Sequence, residues 1–111
     1  MSDEQARRVG YNESLFRQVN EQIESLNRSF GDPIPGMTVV CECADGECTE
    51  RFEVPVAKYE QVRANPRRYL VVPGHEILEF ECVVERGEGY EVVQKRDGAA
   101  ADLAEETDPR S

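Results

Sequence analysis

Three of the four cysteines in this chain lie within eight residues of one another, which is the arrangement most able to support chemistry. Cys41 and Cys43 are two residues apart, so on an extended strand both thiols point to the same face. Asp45-Gly46 is a tight-turn signal, and Cys48 lies just beyond it. A hairpin of this kind brings three sulfur atoms around one point, as a tetrahedral metal ion requires. The spacing Cys-x-Cys-x4-Cys therefore predicts a metal site, with zinc as its ion.

Two other interpretations of the clustered thiols stay open, because the common zinc knuckle begins with Cys-x2-Cys or Cys-x4-Cys. The cysteines are then either structural thiols without a ligand or a redox pair. Cys41 and Cys43 are poor partners for a mutual disulfide, since the Cα atoms of residues i and i+2 of a strand are held about 6.5–7 Å apart. Cys48 can pair with either of them across the hairpin.

The fourth ligand has to come from farther along the chain. His75 is the single histidine and follows a Pro73-Gly74 turn, where a side chain is aimed at a fixed point. Cys82 is its competitor, but it alternates with apolar residues in a predicted strand and is interpreted as a small core side chain. We predict a zinc site of three cysteines and one histidine, with Cys82 as the alternative fourth ligand. The predicted ligands are Cys41, Cys43, Cys48 and His75.

A predicted helix precedes the cysteines. Asn12 is a good N-cap, and apolar residues then recur in steps of three and four until Gly31 and Pro33 end the pattern. The apolar stripe consists of Phe16, Val19, Ile23, Leu26 and Phe30. We predict an amphipathic helix over 12–30 whose stripe packs on the sheet of its own domain, with a dimer or partner-docking helix as the alternative. Residues 1–11 are polar and aperiodic, which predicts a flexible lead-in.

The rest of the chain has the pattern of a small antiparallel sheet. A strand on each side of the Asp-Gly turn forms a hairpin, a short second helix begins after Pro55, and three further strands follow. The last residues, 97–111, are rich in Ala, Asp and Glu and predict a disordered acidic tail. The predicted fold class is α+β: an N-terminal helix followed by a small zinc-pinned antiparallel sheet with a short second helix. The zinc-binding domain covers residues 37–96.

Composition limits the partners. The chain has 111 residues, 39 % of them hydrophobic, so its core is modest and a metal staple is useful. The 13 basic and 23 acidic residues give a net charge of −10, which argues against direct binding to nucleic acid or to an anionic membrane. This charge suits either solubility or a basic protein partner. No apolar run has the length of a signal sequence or a membrane span. The sequence thus predicts a cytoplasmic protein, where clustered cysteines are more often metal ligands than disulfides.

Four sequence segments carry a resemblance. They are Cys-Glu-Cys-Ala-Asp-Gly-Glu-Cys-Thr-Glu-Arg from Cys41, Tyr-Glu-x-Val-Arg-x-x-Pro-x-Arg from Tyr59, Val-Pro-Gly-His-Glu from Val72, and Val-Val-Glu-Arg from Val83. With them the chain resembles a family of small uncharacterised bacterial proteins that have an N-terminal helix, a Cys-x-Cys-x4-Cys segment and a Pro-Gly-His-Glu turn in this order.

The resemblance covers about residues 12–96 and leaves out both tails. It implies that one site contains three of the cysteines and the histidine, and that Cys82 lies outside that site. The implied site residues are Cys41, Cys43, Cys48 and His75. No activity is carried over, because the family has no assigned function.

The function predicted from these observations is a non-enzymatic, zinc-stabilised binding or adaptor module that acts through protein–protein contacts, as a monomer or a helix-mediated dimer. Four protein ligands close the zinc shell and leave no open position for a substrate. The first alternative is a redox- or zinc-responsive regulatory switch, in which oxidation of the cysteines releases zinc. The second is a zinc-dependent hydrolase with three sulfur ligands, a metal-bound water, and His75 or Glu76 as the base.

Overall fold

The α+β class is confirmed by a computed structural model, which describes residues 3–29 and 36–110. The elements are α1 (Asp3–Ser29), β1 (Gly36–Val40), β2 (Arg51–Pro55), α2 (Val56–Arg63), β3 (Arg68–Val71), β4 (Glu81–Gly87), β5 (Tyr90–Lys95) and α3 (Ala99–Glu106). The strands form two antiparallel sheets, a two-stranded one with the order β1-β2 and a three-stranded one with the order β3-β5-β4. Among the described helices, none has the length and apolar character needed to cross a membrane.

The β1–β2 hairpin carries the cysteine segment at its closed end. Its register runs from Gly36 opposite Pro55 to Val40 opposite Arg51. The pairing continues one residue farther, because the Cys41 amide donates a hydrogen bond to the Glu50 carbonyl at 2.9 Å. The chain then joins the two sheets, since the next amide along, that of Glu42, donates to the carbonyl of Leu70 in β3 at 2.8 Å.

Two apolar clusters fill the space between the sheets and helices, and Phe52 packs against both. The first contains Met37, Val39, Val54, Tyr59, Val62, Leu70, Tyr90 and Val92. The second contains Cys41, Cys43, Tyr69, Val71, Val93 and Ala104. The cysteine segment is therefore part of the core, so a metal held there acts on the packing of the whole domain.

Helix α1 differs from the prediction in both its start and its buried face. It begins at Asp3, which corrects the flexible lead-in expected over 1–11 for the part that the structure describes. Its buried residues include a polar row rather than the predicted apolar stripe, of which Val19 is 41 % exposed and Leu26 59 % exposed. Ile23 alone of the stripe packs against the first apolar cluster; Phe30 lies outside the described residues. The buried polar row is Glu13, Arg17, Asn20 and Glu24.

Helix α3 corrects the prediction of a disordered tail over 97–111. It packs on the first turns of α1, where Gly10 permits a close approach: a Cβ atom there would lie 3.3 Å from the Ala100 carbonyl oxygen and from Cδ2 of Leu103. The guanidinium of Arg17 also donates to the Ala104 carbonyl at 2.9 Å, near the negative end of the α3 dipole. Small side chains and one buried cation thus hold a segment whose composition alone indicates disorder.

Candidate metal centre

The structure brings the four predicted ligands together. The sulfur atoms of the three cysteines and a ring nitrogen of the histidine all lie within 4.8 Å of one another. Nδ1 of His75 lies 3.6 Å from Sγ of Cys41 and 3.7 Å from Sγ of Cys48. Zinc bonds of about 2.3 Å to sulfur and about 2.0–2.1 Å to nitrogen give a tetrahedron whose sulfur–nitrogen edge is about 3.6 Å. Both measured separations therefore fit a tetrahedral zinc ion. The grouped residues are Cys41, Cys43, Cys48 and His75.

Two turns position the ligands. In the first, the Cys48 amide donates to the Asp45 carbonyl at 3.0 Å, and the Glu47 amide donates to Oδ1 of Asp45 at 2.9 Å. This side-chain turn reverses the chain between the second and third cysteines, as aspartate does in tight turns. In the second turn, the His75 amide donates to the Val72 carbonyl at 3.0 Å, directly after β3.

Gly74 allows the second turn to close. Its φ of +93° lies in a region that other residues rarely adopt. The closed end of the hairpin and the end of β3 therefore meet at one point, which is where the ligands gather.

The carboxylate between the first two cysteines faces the opposite way from their sulfur atoms. Oε1 of Glu42 accepts hydrogen bonds from Arg63 Nη2 at 2.6 Å and from the Leu70 amide at 2.9 Å. Oε2 accepts from Arg63 Nη1 at 3.0 Å and from Asn20 Nδ2 at 2.6 Å. Glu42 is fully buried, so these four hydrogen bonds replace the water it would otherwise bind. The cysteine segment is thereby fixed to α1, α2 and β3 at once.

Helix α1 holds both ends of the segment that carries the first two cysteines. The side-chain amide of Asn20 acts like a neighbouring strand: its Oδ1 accepts from the Val40 amide at 2.8 Å, and its Nδ2 donates to the Val40 carbonyl at 2.9 Å. Closer to the start of α1, Nδ2 of Asn12 donates to the Ala44 carbonyl at 2.8 Å. The same hydrogen bonds therefore position the candidate ligands and hold α1 against the hairpin.

The thiols of the site carry unequal charge. A hydrogen bond from Cys41, helped by one from His75, lowers the pKa of Cys43 to about 5 in spite of its burial. The same hydrogen bond, together with burial, raises the pKa of Cys41, and burial raises the pKa of Cys48. Without a cation, negative charge collects on one sulfur and is resisted on the others, since like charges repel in a buried site. A divalent cation removes this conflict, so the donor set suits a bound metal.

Cys82 and Glu76 do not belong to the group of ligands. Cys82 lies on β4, and its Sγ donates to the carbonyl of Gln94 on β5 at 3.8 Å. The Glu76 carboxylate accepts a hydrogen bond from the Gly74 amide at 2.9 Å and so stabilises the histidine turn. The backbone amide of Glu76 itself is the main cause that lowers the pKa of Glu76, and the Gly74 amide adds to it.

The sequence analysis did not identify the residues that hold the cysteine segment on the side opposite the sulfur atoms, which are Asn20, Glu42 and Arg63. For Glu42 the sequence contains one signal. A residue between two cysteines that share a strand face must point to the other face, and a carboxylate buried there needs a cation. Nothing in the sequence indicates which arginine supplies it.

In comparisons with models of known protein families, with curated proteins and with solved structures, the chain matches none. The resemblance to the small bacterial family therefore stays a prediction.

Proposed function

We propose that the chain binds one structural zinc ion through three cysteines and one histidine and works as a non-enzymatic module that contacts other proteins. One observation carries the metal proposal: the histidine nitrogen lies at the separation of a tetrahedron edge from two of the sulfur atoms. Thiolate and imidazole donors are also the ligands that zinc prefers over magnesium or calcium. The proposed ligands are Cys41, Cys43, Cys48 and His75.

The structural role follows from the number of donors and from what surrounds them. Four protein donors leave no position for a substrate, which distinguishes structural from catalytic zinc. For the same reason we favour this function over a hydrolase, in which His75 or Glu76 serves as a base. A structural zinc contributes on the order of 10 kcal/mol of apparent folding free energy at neutral pH. Two of the proposed ligands, Cys41 and Cys43, belong to the second apolar cluster, and Cys48 packs against it.

The interaction role is supported by the surface. Apolar side chains stand exposed on α1, at Tyr11, Leu15, Val19 and Leu26. The chain also carries a net charge of −10, which favours a basic protein over nucleic acid as a partner. An adaptor that is stabilised by metal rather than by a large core fits these features.

The metal proposal is tested by elemental analysis of untagged, reduced protein. We expect about one zinc per chain. His75→Ala should lose the zinc or hold it weakly, whereas the matched variant Cys82→Ser should keep it, because Cys82 lies outside the group of candidate ligands and its sulfur donates to the Gln94 carbonyl. Zinc that survives His75→Ala but is lost in Cys82→Ser would overturn the ligand set, and metal far below one per chain would overturn the site.

A redox-responsive switch is the second candidate, favoured by the partial exposure of one thiol. Cys48 is half-buried, whereas Cys41 and Cys43 are buried, so a small oxidant meets Cys48 first. Hydrogen peroxide, with two protons from solvent, would oxidise two zinc-bound thiolates to one disulfide, releasing the zinc and forming two water molecules. Zinc release by peroxide that a dithiol reductant reverses would support the switch, and a site that keeps its zinc under these conditions would exclude it.

A further inference from the structure

The outer edge of β2 has backbone groups that face away from β1, the one strand that pairs with β2 among the described residues. Because the Cys41 amide bonds to the Glu50 carbonyl, every second residue from Glu50 onward exchanges hydrogen bonds with β1. The residues between them, Arg51 and Glu53, direct their N–H and C=O groups outward. Within the described part of the chain, no donor or acceptor pairs with these groups.

The opposite edge of the hairpin, on β1, is partly covered by another element. On β1 the outward-facing groups of Val40 are bound by the side-chain amide of Asn20, and α1 runs alongside. Proteins normally cover, shorten or charge an edge strand because it is a template for pairing with another chain. In this hairpin α1 covers the Val40 end of β1, whereas among the described residues no element pairs with the outer edge of β2.

A cavity of about 780 Å³ lies beside the open edge; we call it the β2 groove. Its apolar lining includes Phe52 and Tyr90, whose rings stack with centroids 5.8 Å apart. The turn between β4 and β5 bounds the far side. The complete lining is Gly36, Phe52, Glu53, Val54, Pro55, Glu88, Gly89 and Tyr90. A volume of this size is typical of ligand-binding clefts.

The β2 groove is negatively charged. Its lining contains two exposed carboxylates, Glu53 and Glu88, and no lysine or arginine. Neither carboxylate forms an ion pair with another described residue, whereas the nearby Glu85 on β4 pairs with Lys58. Among the described residues, the neighbouring acid therefore has a cation at ion-pair distance and these two have none, although the exposed Arg51 lies two residues before Glu53. The net charge of −10 adds to the negative field.

We propose that the β2 groove binds an extended, basic segment of another protein as an added strand along β2. Backbone hydrogen bonds to Arg51 and Glu53 supply the affinity, as in other cases of strand addition. Because side chains alternate along a strand, the segment places apolar residues against Phe52 and Tyr90 and lysine or arginine toward the carboxylates. This inference rests on the proposed function, since it names the surface through which the module contacts a protein.

The first test uses a phage-displayed library of random dodecapeptides, selected on the zinc-loaded full chain. We expect enriched sequences in which basic residues alternate with apolar ones. The tightest peptide is then synthesised with its backbone amides N-methylated at every second position, in the two possible registers. One register should weaken binding by about tenfold or more, because it removes the hydrogen bonds to β2, and the other should change it little. Equal effects from both registers would exclude a strand, and so would no effect from either.

The second test changes the protein. Glu53→Pro removes an N–H group that faces away from β1, and proline is tolerated at such edge positions. It should abolish peptide binding while the zinc content stays at its wild-type level. Glu53→Gln and Glu88→Gln keep the backbone donors and should weaken binding severalfold in a salt-dependent manner. Asp102→Asn, which removes an exposed charge on α3, is the matched control and should leave binding unchanged. If Glu53→Pro does not fold, the N-methylated peptides decide.

Three other results would overturn the groove as the docking site. The first is that the selected peptides are acidic or carry no charge. Binding could be lost in Val19→Asp on α1 but kept in Glu53→Pro. The chain could form a dimer that Glu53→Pro abolishes, in which case the occupant is a second copy. The second result would leave the interaction module standing and move its surface to α1. A failure of the zinc proposal is recognised separately by elemental analysis, so the two failures are distinct.

Discussion

Glu42 and Arg63 form a bidentate ion pair that is wholly buried, with nitrogen–oxygen separations of 2.6 and 3.0 Å. We expect Glu42→Gln to lower the free energy of unfolding of the zinc-loaded protein by about 3–5 kcal/mol, because it leaves a buried guanidinium without its counter-charge. Urea unfolding followed by circular dichroism measures this. Glu50→Gln, an exposed neighbour, is the control and should stay within about 0.5 kcal/mol of wild type. Equal values for the two variants would contradict a supporting role for the pair.

Asn20→Ala should destabilise the protein by about 2–4 kcal/mol, since it leaves the amide and carbonyl of Val40 without a partner and removes one of the two donors to Oε2 of Glu42. Because Val40 adjoins the first cysteine, we also expect faster zinc transfer to a competing chelator. Stopped-flow measurement with a colorimetric chelator checks this. Gln18→Ala, on the exposed side of the same helix, should leave both the stability and the transfer rate near wild type. If the two variants transfer zinc at one rate, α1 does not support the metal centre.

Ile23→Asp and Val19→Asp separate the two sides of the predicted apolar stripe. Ile23 packs against the first apolar cluster, so an aspartate there should unfold the domain or lower its stability by several kcal/mol, on the order of 3. Val19 is 41 % exposed, so the same change should be tolerated. Thermal unfolding of both variants gives the comparison, and sedimentation shows whether the wild type is a monomer. A folded Ile23→Asp that loses a dimer would instead make α1 the interaction surface.

Glu13 makes stability depend on pH in the direction opposite to an ordinary ion-paired carboxylate. Burial raises its pKa well above the usual 4.5, and this outweighs the attraction to Lys95, which also contacts Glu81. The folded state thus binds a proton more tightly than the unfolded state, so stability from this group is lost as the pH rises above about 4.5 toward the raised pKa.

The variant Glu13→Gln lacks this titration. Its stability relative to wild type should therefore increase between about pH 5 and pH 8. Urea unfolding at both pH values measures the difference, with the exposed Glu4→Gln as a control whose difference stays flat. A variant that loses stability relative to wild type as the pH rises would show that Glu13 is ionised in the folded protein.

Chelation of zinc should loosen the cysteine segment first. Its contribution on the order of 10 kcal/mol exceeds what a domain of this size usually has to spare. Hydrogen exchange should therefore rise at the segment between Cys41 and Cys48 and at the turn before His75. It should rise less in the first turns of α1, which pack on α3 rather than on the site. An amide spectrum that is unchanged after full removal of zinc would contradict a structural metal.

The clustering of the three thiols and the hairpin that carries them could be predicted from the sequence because both depend on short-range spacing. Alternation places two thiols on one face, and an Asp-Gly pair turns the chain. The buried face of α1 could not be predicted in this way. Apolar periodicity reports the free energy of burying a side chain alone, whereas Arg17 is buried because Ala104 offers a carbonyl 87 residues later. Asn20 likewise depends on a strand 20 residues away.

Helix α3 also could not be predicted from the sequence, because it depends on contacts with residues far away in the chain. Its alanines and acids indicate a solvated tail when each residue is considered by itself. They pack because Gly10 leaves room for a second helix and because a buried arginine needs an acceptor. Both conditions are set by α1, at the other end of the chain.

Because the sulfur atoms and the Glu42 carboxylate point to opposite sides of the segment, the site favours one register of the hairpin. If the segment slipped by one residue, the carboxylate would turn toward the thiols and a sulfur would face Arg63, because neighbouring side chains on a strand point to opposite sides. With zinc bound as proposed, the misaligned hairpin would lose the metal and the ion pair together. Metal binding and charge pairing would thus each disfavour the same wrong register.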